Sequence, residues 1–116
     1  LDLNRGEMFY PLRVFICDSC FLAQLPEFES PKNIFDEYSF FSSYSDEVLE
    51  LSRKLCDEMI ERFGIDSKSL VIEIASNDGY LLKYFKEKDV PVLGIEPARN
   101  VAKVAEAAGI PTIIKY

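Results

Sequence analysis

The sequence predicts an α/β fold: a truncated Rossmann-like βαβαβ run that forms a parallel sheet, preceded by a long helix and a small β-hairpin. Three observations predict it. Strand-like and helix-like segments alternate after Gly64, residues 45–63 carry a helical apolar period, and residues 10–25 alternate about a CxxC turn. A strand–helix–strand alternation of this kind implies a parallel sheet with right-handed crossovers.

Each element has a reason in the residues. In YPLRVFICDSCFLAQL, Leu12, Val14 and Ile16 alternate, the chain turns through Cys17 to Cys20, and Phe21, Ala23 and Leu25 resume the alternation. Residues 26–44 hold Pro26 and Pro31 and then the aromatic group Phe35, Tyr38, Phe40, Phe41 and Tyr44, which reads as a connector with something to cover. From Ser45, the residues Val48, Leu51, Leu55, Met59 and Phe63 recur every three to four positions, Asp46 and Glu47 stand near the start, and Gly64 follows the end. Cys56 lies beside that stripe and reads as a small buried apolar residue. Beyond it, 69–75 and 90–96 read as strands, 79–88 and 97–108 as helices, and 112–115 as the start of a third strand. Pro97 suits a first helical position and Gly109 a C-terminal stop.

Composition narrows the function. A chain of 116 residues has room for one core and at most one and a half small domains. The net charge of −7, from 20 acidic against 13 basic residues, opposes a phosphate backbone, so no nucleic-acid partner is expected. No apolar run approaches the roughly 20 residues that span a bilayer, so no membrane partner is expected and the expected location is cytoplasmic. Three cysteines, an odd number, argue against a disulfide scaffold and for thiols that are reduced or bound to metal. The chain opens on Leu1 rather than Met, which reads as an excised piece.

The stretch VIEIASNDGY carries the chemistry. Glu73 sits inside the first parallel strand, and Gly79 is placed where a helix opens with its N-terminal NH groups toward a ligand. Glu96 ends the next strand, where a carboxylate accepts from both hydroxyls of a ribose. Two carboxylates at adjacent strand ends suit an uncharged ribose and a cationic tail better than a pyrophosphate, which points to S-adenosylmethionine in preference to NAD. The plain alternative is a solvated strand residue at position 73 and an ordinary helix start at 79; burying a glutamate amid Val71, Ile72 and Ile74 without a task is costly.

EIASNDGYLL, GIEP, the aromatic run YSFFSSYSDE and the hairpin YPLRVFICDSCFLAQL together resemble the sugar C-methyltransferases of deoxysugar biosynthesis. The resemblance covers residue 10 to the end. Such enzymes join an N-terminal zinc-binding domain to a class I S-adenosylmethionine-dependent methyltransferase domain. The resemblance therefore implies a zinc-ribbon-like remnant in 1–30, an aromatic connector in 31–44 and the N-terminal half of a methyltransferase domain in 45–116. The family's loop pattern, acid-x-Gly-x-Gly-x-Gly, falls on Glu73, Ala75, Asn77 and Gly79; Ala75 still allows close approach, and Asn77 tolerates a left-handed turn. Implied cofactor-binding residues are Glu73, Ala75, Ser76, Asn77, Gly79, Glu96 and Pro97.

The same resemblance makes Cys17 and Cys20 half of a zinc site whose other pair would lie before Leu1; chance spacing in a turn and a redox pair are the alternatives. Tyr38 and Tyr44 are candidate substrate contacts, with bland aromatic packing as the competing reading. The chain has no histidine, and the family's acid/base residues belong to the region after the third strand, so no catalytic residue is named. The implied reaction is methylation of a carbon of a nucleotide-linked sugar after its deprotonation. A nucleotide or NAD-binding module and a non-catalytic zinc-ribbon interaction module are the other readings. The expected strand order leaves one face of the sheet bare, so self-association through that face or its edge, or cover by the hairpin, is expected, with no methylation and weak cofactor binding by this piece alone.

Overall fold

The computed structural model describes Gly6 and residues 9–116 and divides the chain into two compact units, 1–30 and 31–116. In the first unit β1 (Phe15–Ile16) pairs antiparallel with β2 (Ala23–Gln24), with Phe15 opposite Gln24 and Ile16 opposite Ala23. The pairing is shorter than the alternation predicts. The Cys17 N–H donates to the Leu22 carbonyl and the Phe21 N–H to the Cys17 carbonyl, closing the turn that carries both cysteines. Phe21 holds a left-handed φ of 60° there. Most apolar side chains of this hairpin, Leu12, Ile16 and Phe21 among them, are exposed.

The second unit begins with α1 (Pro31–Phe35), a helical turn inside the stretch expected to be a plain connector, and Pro31 supplies the fixed φ that suits a first helical position. A 3-10 turn follows at Ser42–Tyr44, and then α2 (Asp46–Phe63). The ends of α2 are written in its sequence: the Ser45 side chain accepts from the Val48 N–H, and Gly64 adopts φ 62° as the C-terminal cap.

Strands β3 (Val71–Ile74), β4 (Val92–Ile95) and β5 (Thr112–Ile113) form a parallel sheet in the order β3-β4-β5, with α3 (Leu82–Lys86) and α4 (Arg99–Ala107) as the connecting helices. The register sets Glu73 beside Gly94 and Gly94 beside Thr112. The core lies on one face, where Cys56 of α2, Leu82 and Phe85 of α3 and Ala105 of α4 pack with Val92 and Ile110. Cys56 is fully buried, as predicted, but Leu51, Leu55 and Phe63 of the expected apolar stripe are exposed, and the face of α2 turned to the core carries Ser52 and Cys56 with Met59 and Ile60. Successive strand residues point to opposite faces. Val71 and Glu73 therefore share the packed face with Val92 and Gly94, whereas Ile72 and Ile74 on the other face are 52% and 80% exposed.

Two expected helix starts move. The helix expected from residue 79 begins at Leu82, because Gly79 takes φ 80°, which no right-handed helix accommodates; residues before it form a turn closed by the Gly79 N–H to the Ser76 carbonyl. The helix expected from Pro97 begins at Arg99, because Ala98 stays extended with its N–H bonded to the Glu96 carboxylate. Gly109, with φ 74°, follows the end of α4 as its sequence position predicts.

Gly79 is required by packing as well as by backbone. A Cβ at this position would run into the Ile110 Cδ1 and stand 3.4 Å from the Ala105 Cβ, both in the core. Gly79→Ala should cost about 1–2 kcal/mol for the left-handed backbone and about 1–3 kcal/mol more for overpacking. Urea denaturation of the variant checks this, and an unchanged midpoint would show that the loop and Ile110 part easily.

Candidate functional site

The loop between β3 and α3 is built from alternate left-handed residues. Ala75, Asn77 and Gly79 have φ of 59°, 51° and 80°, and they occupy the three positions that the loop pattern assigns to glycine. Only glycine adopts this region without cost; an alanine pays about 1–2 kcal/mol, and Asn is the side chain that tolerates it best. Ala75 is thus a point of stored backbone strain at a pocket wall, a place where strain accompanies function. Ser76 fits over β4 because Gly94 lacks a side chain: a Cβ there would come 2.5 Å from the Ser76 Oγ.

Glu96 fastens the loop. Its side chain is buried, its Oε2 accepts from the Asn77 N–H at 2.8 Å, and its Oε1 accepts from the Ala98 N–H at 2.8 Å. Its own N–H donates to the Ile113 carbonyl, which sets it at the end of β4 within the ladder. Each carboxylate oxygen accepts one backbone bond and keeps a second lone-pair direction.

A chain segment crosses over the ends of the strands here. Residues 36–44 form a strap held by side chains of the loop and of α4. The Asn77 Oδ1 accepts from the Ser42 N–H at 3.0 Å and the Asn77 Nδ2 donates to the Phe40 carbonyl at 3.1 Å. The Asp78 Oδ2 accepts from the N–H and the hydroxyl of Ser43, at 3.1 and 2.6 Å. The Asn100 carboxamide accepts from the Tyr38 N–H at 2.9 Å and donates to the Tyr38 carbonyl at 2.7 Å. The Arg99 N–H donates to the Asp36 carbonyl at 3.2 Å.

Between strap and loop lies a pocket of about 390 Å³, lined by Phe35, Tyr38 and Phe40 on one side and by Ala75, Asn77 and Glu96 on the other, with Tyr80, Ser42 and Pro97 completing it. A site of this size suits a nucleoside-sized ligand. Of the residues singled out in the sequence, the pocket brings together Ala75, Asn77, Glu96, Pro97 and Tyr38. Ser76 is fully buried beneath the loop, and the place of the missing Gly79 side chain is taken by the core. Tyr44 is 81% exposed and stacks on Phe41 at 5.1 Å, away from the pocket lining.

Glu73 stands behind this pocket, half-buried on the packed face of β3. Burial pushes its carboxyl up to about 7; a hydrogen bond from Tyr80 opposes that shift, and the nearby carboxylates of Glu96 and Asp78 add to it. Burial and the Glu73 charge in turn raise the Tyr80 phenol. Among the described residues three buried side-chain oxygens have no hydrogen-bond partner: Glu73 Oε2, Ser76 Oγ and Asp78 Oδ1. All three belong to the strand and loop that make the site. Carboxylates left short of donors make this an environment that favours a cation or donor-rich group over an anion.

In the N-terminal unit, NH groups of Cys20 and Ser19 and the Cys20 thiol hold the Cys17 thiol below its usual range. A thiol lowered in this way forms its thiolate more readily. Among the described residues no cluster of three or more His, Cys, Asp or Glu side chains joins them.

Sequence reasoning missed Asp78, Ser42, Ser43, Asn100 and Tyr80. The SNDG turn was itself a signal for Asp78, since Asn and Asp side chains bond nearby backbone. Asn100, near the start of an amphipathic helix, carries no comparable signal.

A parallel sheet with a ligand loop after its first strand and an acid at the end of its second is compatible with part of a methyltransferase domain. Comparison with known proteins agrees. Residues 1–35 match the family described as "Putative zinc binding domain". Over 112 residues the chain is 37% identical to the C-methyltransferase NovU of Streptomyces niveus, an alignment that covers 97% of this chain and 27% of that protein. Both matches support reading the chain as a piece of a C-methyltransferase, and it spans about a quarter of the length of this curated relative. No helix among the described residues is long and apolar enough to cross a membrane.

The raised Glu73 carboxyl has a consequence for stability. The folded chain holds a proton that the unfolded chain, with an ordinary value of 4.5, gives up earlier, so this group's stabilising share is complete below about 4.5 and is lost as pH rises toward and through about 7. Glu73→Gln should remove that loss. Thermal melts at pH 5 and pH 8 are expected to differ less for the variant than for the natural sequence, and equal differences would mean that the Glu73 carboxyl titrates normally.

Proposed function

We propose that this chain is the cofactor-binding portion of an S-adenosylmethionine-dependent C-methyltransferase that acts on a nucleotide-linked deoxysugar. The observation that carries the reading is the pocket enclosed between the Glu96 carboxylate and the aromatic strap, at the C-terminal ends of parallel strands. S-adenosylmethionine supplies an electrophilic methyl group on a sulfonium. Glu96, with both oxygens anchored by backbone N–H groups and one lone-pair direction left on each, is set to accept from two neighbouring ribose hydroxyls. Phe35, Tyr38 and Phe40 form the side of the pocket that keeps water from a nucleoside.

Glu73 supplies the charge for the cationic end of such a ligand. Its Oε2 lacks a partner, and a cation nearby would draw the carboxyl back to its ionised form. The same three acids, Glu73, Asp78 and Glu96, speak against the pyrophosphate of NAD. Ala75, Ser76, Asn77 and Gly79 give the loop its shape, and Pro97 closes the pocket beside Glu96. The acid and base that act on the sugar are assigned to a part of the whole protein beyond this chain, which contains no histidine.

Zinc belongs to the N-terminal unit in this reading. Cys17 and Cys20 provide two thiolates on one tight turn, half of a tetrahedral set, with the Cys17 thiolate stabilised by the turn's own NH groups. Its task is structural. In the full-length protein, replacement of both by Ser should remove one zinc per chain by elemental analysis, and an unchanged metal content would take these cysteines out of the site.

Glu96→Gln tests the cofactor reading. The exchange removes the charge and turns one acceptor into a donor, so calorimetry with the full-length protein should show S-adenosylmethionine affinity weaker by about 1.5–3 kcal/mol, the worth of a charged hydrogen bond. Unchanged affinity would remove Glu96 from the ribose site.

A further inference from the structure

The strap over the pocket is fastened in an unusual way for a covering segment. Residues 36–44 form no β-ladder; the backbone bonds that fasten them to helices both fall on Asp36, whose N–H donates to the Lys32 carbonyl of α1 and whose carbonyl accepts from the Arg99 N–H of α4. Beyond Asp36, whose carboxylate also pairs with the Arg99 guanidinium at 3.7 Å, three side chains make the attachment. The Asn77 carboxamide bridges the Phe40 carbonyl and the Ser42 N–H, the Asn100 carboxamide bridges both backbone groups of Tyr38, and Asp78 holds Ser43. Each Asn meets one backbone donor and one backbone acceptor of the strap, the pairing that a neighbouring strand would otherwise provide, and the Asn77 Oδ1 also accepts from the Asp78 N–H at 2.9 Å.

The two Asn clasps bracket the aromatic wall. Tyr38 is gripped at its own backbone and Phe40 at its carbonyl, and both line the pocket. One clasp comes from the loop after β3 and the other from the start of α4, so the wall's position is referred to both strand ends at once. Asn77 also explains why a side chain stands at a position whose backbone, with φ 51°, would be easier for glycine: the residue exchanges conformational ease for a grip on the strap.

We propose that Asn77 and Asn100 are positioning residues that hold the strap as a preformed wall of the pocket, and that this hold sets how long a nucleoside-bearing ligand stays bound. The second half rests on the cofactor reading above. The mechanism is preorganisation: a wall already in place costs no ordering when the ligand arrives and must be displaced for it to leave.

Two variants separate the clasp from simpler roles. Asn77→Gly keeps and eases the left-handed backbone while deleting the carboxamide. Asn100→Ala acts from α4 and touches no residue that lines the pocket by its own side chain except through Tyr38. Amide hydrogen exchange on the unliganded full-length protein is read at positions whose own partner each variant leaves intact: Tyr38 in Asn77→Gly, which also removes the acceptor of the Asp78 N–H beside Ser43, and Ser42 and Ser43 in Asn100→Ala. Exchange there should quicken by about tenfold, as for the loss of about two hydrogen bonds' net worth from one cooperative opening. Acceleration confined to the amide that lost its partner would overturn the clasp. Dissociation of S-adenosylhomocysteine, the probe for the pocket, should quicken by a similar factor in both variants. Faster strap exchange with unchanged dissociation in Asn100→Ala would overturn the link to residence time. If the unaltered protein fails to bind this probe, the cofactor reading and that link fall together, and exchange alone still judges the clasp.

Discussion

One buried carboxylate organises the functional end of this chain. Glu96 ends β4 and accepts from the Asn77 N–H on one oxygen and the Ala98 N–H on the other. Those bonds tie the loop leaving β3 to the turn leaving β4. A buried acid without such donors is expensive, so the loop and the turn are held to the geometry that supplies them. The displaced start of α4 follows from this: Ala98 remains extended because its N–H is directed at Glu96 and cannot join the helix.

The loop's backbone then makes the rest possible. Alternate left-handed residues at 75, 77 and 79 turn the chain sharply enough to bury Ser76 over Gly94, to lay Gly79 against Ile110, and to present the Asn77 side chain upward to the strap. Glycine is spent on packing at position 79 and on close approach at position 94. The remaining two left-handed positions hold Ala75 and Asn77, so the loop carries strain that only its surroundings maintain. What looks in the sequence like a thinned glycine motif is a loop in which one former glycine position has acquired a second task.

The parallel sheet, α2 with Gly64 at its end, the burial of Cys56 and the strand-end place of Glu96 were legible in the sequence, because periodicity, terminal residues and strand-end acids are local signals, whereas Ala75, Asn77, Pro97 and Tyr38 were reached through the family resemblance. Helix starts were not. Whether Gly79 or Pro97 begins a helix is decided by Ile110 and by Glu96, which are distant in sequence or act through a side-chain bond. The strap's attachment was equally hidden: an Asn at position 100 looks like an ordinary polar helix residue until Tyr38 is brought beside it. Tyr44 shows the reverse case, an aromatic whose neighbours in sequence promised a place in the site and whose ring instead stacks on Phe41.

Charge sets the electrostatic character of the strand ends. Glu73, Asp78 and Glu96 converge at two strand ends in a chain that is already acidic, and two of them, Glu73 and Asp78, keep an oxygen without a partner. Neither of the other two can neutralise Glu73; their charges reinforce the burial that holds its proton to about 7. A phosphate would meet the charges of Asp78 and Glu96, and that of Glu73 as well once its proton is lost above about 7. A cation would meet a carboxyl poised to lose its proton, so its arrival and the ionisation of Glu73 favour each other, and the site becomes more welcoming to positive charge as pH rises through neutrality. Of the three acids, Glu96 alone lines the pocket, so Glu73 and Asp78 act on whatever enters it through the field they set up behind the wall.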